Sequence, residues 1–167
     1  MSRRHINGFT LVELLVTVSI AAILLALALP SFQGSMRSNR VATATNELLA
    51  SLALARSEAV RNTRGAGICA SADGASCGGT WNGGWIVWSD PNGNGAVDAG
   101  ENIIRYSQGK ASTTITGSAA SIAFTPRGRA ASGVPTTLSV VPADVTTPVR
   151  CVTVNVTGQT RVAQAAC

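Results

Sequence analysis

Gly8-Phe9-Thr10-Leu11-Val12-Glu13 opens the stretch that decides the fold, because the apolar run that follows continues to Pro30 with Glu13 as its one ionisable side chain. About 20 helical residues, each rising ~1.5 Å, cross a hydrocarbon core ~30 Å thick. The stretch therefore reads as a membrane-spanning helix. Arg3 and Arg4 precede it, and positive charge in that position stays on the cytoplasmic side. The remainder of the chain is then expected on the far side of the membrane.

A carboxylate at the centre of a membrane helix costs roughly 2.5 to 3.5 kcal/mol on insertion scales, so Glu13 needs a partner. A cut after Gly8 would create one. The new amino group on Phe9 would be a cation at the apolar end of the helix, able to pair with Glu13 of a neighbouring copy. A secretory signal would instead carry an Ala-x-Ala-like cleavage site after its core, whereas this core runs into Pro30-Ser31-Phe32. The run Gly-Phe-Thr-Leu-Val-Glu-Leu beginning at Gly8 resembles the processing site of type IV prepilins and of the related type II secretion pseudopilins. That resemblance implies an inner-membrane prepilin peptidase that cleaves after Gly8 and methylates Phe9. It also implies that Glu13 acts in docking between subunits, and it puts Pro30 where the family's helix carries a proline.

Beyond Pro30 the helical period resumes. Val41, Ala44, Leu48, Leu52, Ala55 and Ala59 recur at threes and fours as one apolar stripe, while Arg37, Arg40, Glu47, Arg56, Glu58 and Arg61 lie off it. One long helix from about Phe9 to Arg61 is expected, with Pro30 as the place where it could bend and Gly65 as its stop. After Gly65 the pattern changes to short β-type runs. Residues 85–88 and 102–106 flank a turn-rich insert as a hairpin, and residues 121–124, 137–141 and 150–156 supply further strands. The expected class is α+β, the type IV pilin fold: a long N-terminal helix, membrane-spanning in its first half, packed on a C-terminal antiparallel β-domain. Its parts are a leader at 1–8, the membrane and assembly half of the helix at 9–30, an amphipathic half at 31–62 and a periplasmic β-rich domain at 63–167.

Charge and cysteines narrow the function. The thirteen basic side chains include Arg3 and Arg4, so without the leader the surplus over eight acids falls from five to three. That is a mild surplus, unlike the basic stripe of a dedicated nucleic-acid domain. Cys69, Cys77, Cys151 and Cys167 all lie beyond the membrane segment, in a compartment where disulfides persist. Three pairings are open in principle, and short loop closure favours Cys69 with Cys77 and Cys151 with Cys167. Zinc lacks both short cysteine spacings and, once the leader is gone, any histidine, since His5 is the only one. The same loss removes the imidazole that a catalytic triad would use, and no phosphate loop of the Walker type is present, so an enzyme is not expected.

Two loops remain as candidate sites. Residues 90–101, Asp-Pro-Asn-Gly-Asn-Gly-Ala-Val-Asp-Ala-Gly-Glu, match a calcium loop of the EF-hand kind at places one, three, five, six, nine and twelve. Strands rather than helices flank it, and Asx turns explain the same composition without Ca2+. Arg127 and Arg129 sit in the turn Phe-Thr-Pro-Arg-Gly-Arg, and Arg161 in Gly-Gln-Thr-Arg near the C-terminus. Loop arginines can contact the phosphates of double-stranded DNA without reading its sequence. These two segments look like those of FimT and FimU minor pilins and of pseudopilin H. The FimT-like members bind DNA through a Gly-Arg-x-Arg tail, and here Gly158 and Arg161 match it while Gln159 takes the place of the first arginine. The partners implied are prepilin peptidase, other minor and major pilins or pseudopilins, the inner membrane and, through the arginines, DNA. The function implied is that of a minor pilin in pilus assembly, with the type II secretion pseudopilin H as the alternative.

Overall fold

The computed structural model describes residues 9–167, apart from the side chains of residues 28–31. Gly8 and the leader therefore lie outside the described residues. One helix, α1 (Leu11–Asn62), is followed by eight strands: β1 (Ala66–Ala70), β2 (Gly84–Ser89), β3 (Ile103–Gln108), β4 (Thr113–Gly117), β5 (Ser121–Phe124), β6 (Thr136–Pro142), β7 (Arg150–Val154) and β8 (Thr160–Ala163). Helical backbone continues through Pro30. The chain forms two compact units, divided within α1 between Met36 and Arg37.

In the first unit the large apolar side chains from Leu11 to Leu27 are exposed, and this part of α1 is long and apolar enough to cross a membrane. In the second unit the helix is amphipathic in fact as well as in pattern. All six stripe residues, from Val41 to Ala59, are at most 1% exposed. They join one core with Ile68, Trp85, Val87, Ile122, Phe124, Leu138, Val140, Val152 and Val154. A buried polar contact fixes helix against sheet: Trp85 Nε1 donates to Ser51 Oγ at 2.9 Å, and that hydroxyl donates in turn to the Glu47 carbonyl.

The strands make two four-stranded antiparallel sheets, in the orders β3-β2-β1-β5 and β4-β6-β7-β8. The hairpin expected across the turn-rich insert is the β2-β3 pair. The first sheet is covered on both faces, because Cys69, Ile86 and Trp88 form a second small cluster on the face away from the main core, with Val97 of the insert and Ile103 packed against it. That is why β2 reads as a continuous apolar run instead of an alternating one. Gly67 in β1 lies directly beneath Trp88, where a Cβ would overlap the indole ring.

Two disulfides, Cys69–Cys77 and Cys151–Cys167, tie β1 to the loop after it and β7 to the last residue. The helix stop differs from the expectation at Gly65. Asn62 closes the helix, its Oδ1 accepting from the amides of Arg64 and Gly65, and Thr63 adopts the left-handed conformation at φ 56°. A side-chain cap has taken the role expected of a glycine.

Candidate functional site

At the start of α1, Thr10 is the residue that caps the helix: its carbonyl accepts from Leu14 N and its Oγ1 accepts from Glu13 N at 3.2 Å. Thr10 and Glu13 are thus spaced as a capping box, with the acid in the first turn, where the helix dipole favours negative charge. Phe9, just before the cap, is 82% exposed. Glu13 lies about one turn along the chain from Phe9.

The 90–101 insert directs most of its side-chain oxygens at its own N–H groups. Asp90 is buried, with Oδ1 accepting from Gly93 N and Asn94 N and Oδ2 from Gly95 N. Asp98 Oδ2 accepts from the side-chain amides of Asn92 and Asn94, and Glu101 Oε2 from Asp98 N. Both oxygens of Asp90, one of Asp98 and one of Glu101 thus accept from N–H groups, while Glu101 Oε1 is buried without a hydrogen-bond partner. Among the described residues no group of three or more His, Cys, Asp or Glu side chains is arranged to hold a metal. Asp73, inside the loop closed by the first disulfide, works similarly. It accepts from Ser76 Oγ, from the amides of Ala75 and Ser76 and from Ser71 Oγ, and these bonds hold its carboxyl well below the usual aspartate range.

The arginine-bearing segments form a third region. Thr125-Pro126-Arg127-Gly128 is a tight turn closed by Gly128 N to the Thr125 carbonyl at 2.8 Å, with Gly128 at φ 70°. The β7–β8 connection is another, closed by Gly158 N to the Asn155 carbonyl at 2.8 Å, with Gly158 at φ 75°. The two turns touch. Ala130 N donates to the Val156 carbonyl at 3.1 Å, and a Cβ on Gly158 would overlap the Gly128 carbonyl oxygen. Arg127, Arg129 and Arg161 are all exposed, and among the described residues none is in a salt bridge.

What sequence reasoning missed is the residue joining these turns. Arg56, on α1, donates from Nε to the Gly128 carbonyl at 2.9 Å and from Nη2 to the Thr157 carbonyl at 3.4 Å. Beside it runs a groove of about 490 Å³ lined by Leu52, Ala53, Ser57, Val60 and Gly158. Its only signal in the sequence is a basic residue just off the apolar stripe, which any solvated helix face also shows. Arg61, one turn on, is occupied otherwise, in a two-pronged pair with Glu58 at 2.8 and 2.7 Å that raises its pKa.

The family described as type II transport protein GspH matches residues 44–158, which take in the buried helical stripe from Ala44 onward and strands β1 to β7. The chain belongs to the GspH family. The prokaryotic N-terminal methylation motif matches residues 3–29, the leader and the apolar run. Two crystal structures of the type IV minor pilin FimU from Pseudomonas aeruginosa share the fold at 23% identity. One has a TM-score of 0.56 over 72% of this chain and 90% of FimU, the other 0.59 over 75% and 90%. No curated protein matches. A GspH-family domain behind a methylation motif, in a fold shared with FimU, makes this a type IV pilin-like protein, and the family and fold are those of structural pilins. The GspH match ends at Gly158, the residue seated on Gly128, so Arg161 and Cys167 lie beyond it.

Proposed function

We propose that the chain is a minor pilin of the FimT/FimU kind, cut between Gly8 and Phe9 and built into a helical assembly through the first part of α1. The observation that carries this reading is the exposure of the large apolar side chains from Leu11 to Leu27 on a helix that begins beside Glu13. Such a surface is stable in lipid or against equivalent helices and nowhere else. Before assembly the helix anchors the chain in the inner membrane with the β-domain in the periplasm. After it, Glu13 answers the methylated amino group of a neighbour and the β-domain meets other minor subunits. The test is the intact mass of the membrane-extracted protein. Methylated Phe9 is the expected first residue; retained Met1, or a cut beyond Leu29, overturns the proposal. Glu13→Gln should still be processed but should fail to enter sheared fibres.

A second reading, the H pseudopilin of a type II secretion machine, is favoured by the description of the family itself. Deletion separates the two. Loss of protein export with twitching and DNA uptake intact selects the secretion machine, and the reverse selects the pilus.

Within the first reading the subunit also captures double-stranded DNA. Support comes from three exposed arginines, Arg127 and Arg129 at one turn and Arg161 at the start of β8 just after the turn that touches it, a surface suited to phosphates rather than to base edges. The check is salt-sensitive binding of a mixed-sequence duplex that weakens when Arg127, Arg129 or Arg161 is changed to alanine.

A further inference from the structure

We infer that Arg56 is a positioning residue that holds the Arg127/Arg129 turn and the β7–β8 turn as one phosphate-binding surface, an inference that rests on the DNA-capture reading above. Both turns are short and closed by a buried glycine, and the strands they leave belong to different sheets. Their mutual contact depends on Gly158 fitting against the Gly128 carbonyl and on Ala130 N reaching the Val156 carbonyl. Arg56 adds a brace from beneath, one guanidinium donating to a carbonyl of each turn. The fit is specific to arginine. A planar fork with five donors can span two acceptors in fixed directions, whereas a lysine ammonium is a single point on a flexible stem.

Geometry also separates this role from that of a direct phosphate ligand. Two of the Arg56 donors are occupied by carbonyls, and the side chain is only partly exposed, while Arg127, Arg129 and Arg161 are exposed and hold no salt bridge among the described residues. The neighbouring acid, Glu58, is engaged by Arg61, so no salt bridge draws Arg56 away from the turns. Fixing the Arg127/Arg129 turn and the turn that leads into Arg161 before the ligand arrives removes an ordering cost from binding.

The experiment uses the full chain in a nonionic detergent and a mixed-sequence DNA duplex titrated over a range of salt. Arg56→Lys keeps the charge and loses the span. It should bind about fivefold more weakly at physiological salt, because the two turns must then be ordered on binding, with its thermal midpoint little changed. Because each phosphate contact contributes about 0.9 to the slope of log K against log salt, removal of a mere phosphate ligand in Arg56→Met would lower that slope by about that amount. Loss of a brace should lower it further, and Arg161→Ala should then cost less in the Arg56→Lys background than in the wild type. Gly158→Ala, whose Cβ would overlap the Gly128 carbonyl and crowd Arg56 Nε while the Arg56 charge is kept, should reproduce the weakening. If Arg56→Lys binds like the wild type while Arg127→Ala and Arg161→Ala are weak, the positioning role is wrong and DNA capture stands. If the wild type shows no salt-sensitive binding, both fall.

Discussion

The two parts of α1 share a backbone and almost nothing else. From Leu11 to Leu27 the large apolar side chains are exposed, Leu11 at 77% and Leu27 at 70%; after Met36, Leu48 and Leu52 are fully buried while Asn46, Ala50 and Ser57 face outward. Hydrogen bonding is satisfied within the helix in both, so the difference lies wholly in the surroundings each part requires. An all-round apolar helix needs lipid or other helices; a striped one needs a sheet. The same element therefore serves both as a means of association and as a wall of a folded unit.

The sharpest way to break this comparison is to truncate a leucine on each side. Leu48→Ala should destabilise the second unit by about 2 to 5 kcal/mol through the cavity it leaves, whereas Leu15→Ala should move it by less than about 0.5 kcal/mol. Trp81, Trp85 and Trp88 all lie in the second unit, so urea unfolding followed by tryptophan fluorescence reads that unit alone. Equal effects from the two leucines would mean that the parts of the helix are not energetically separate. Ser51→Ala comes next, since it strands the buried Trp85 N–H and should cost about 1 to 3 kcal/mol in the same assay. A loss near zero would show that another acceptor replaces the hydroxyl.

The stripe was legible because each of its residues has one role, to be buried, and a period of 3.6 states that role directly. Strands β2, β3, β5, β6 and β7 announced themselves with β-branched and aromatic runs. The central strand β1 did not: Ala-Gly-Ile-Cys-Ala has weak β-propensity, and its glycine is there to admit the Trp88 ring from the next strand. Strand β8 was equally hidden, since all four of its residues are exposed and only pairing to β7 and the nearby disulfide hold it. The helix stop at Thr63 was missed because Asn62 bonds two amides from its side chain, a geometry that the dipeptide does not state. The candidate arginines could be picked out one at a time, but not their meeting. That depends on two glycines far apart in the chain and on Arg56, a residue indistinguishable in the sequence from its solvated neighbours.

The end of the striped part offers a smaller test in the opposite direction. Thr63, β-branched, sits at φ 56°, a region that glycine occupies without penalty. Thr63→Gly should raise the stability of the second unit by about 0.5 to 1 kcal/mol. No gain would mean that the Asn62 cap has already absorbed the strain.

The smallest effect concerns the acids that tie the second unit together, a device the apolar part of the helix lacks. Arg37, the first residue after the division, donates from Nε to Asp144 Oδ2 at 2.9 Å, which holds that carboxyl below its ordinary value. Asp73 is held down further by the hydroxyls and amides around it. A depressed folded-state pKa means that the unfolded chain takes up protons first, so the stabilisation is complete above the ordinary aspartate value of ~3.9 and is lost as the pH falls through it toward the lower folded values. The thermal midpoint of the second unit should accordingly be flat with respect to these groups near neutral pH and decline below about pH 4. In Asp73→Asn the midpoint should be lower at neutral pH and the decline shallower. An acid limb that survives both Asp73→Asn and Asp144→Asn would show that these two carboxylates do not set the acid sensitivity of this unit.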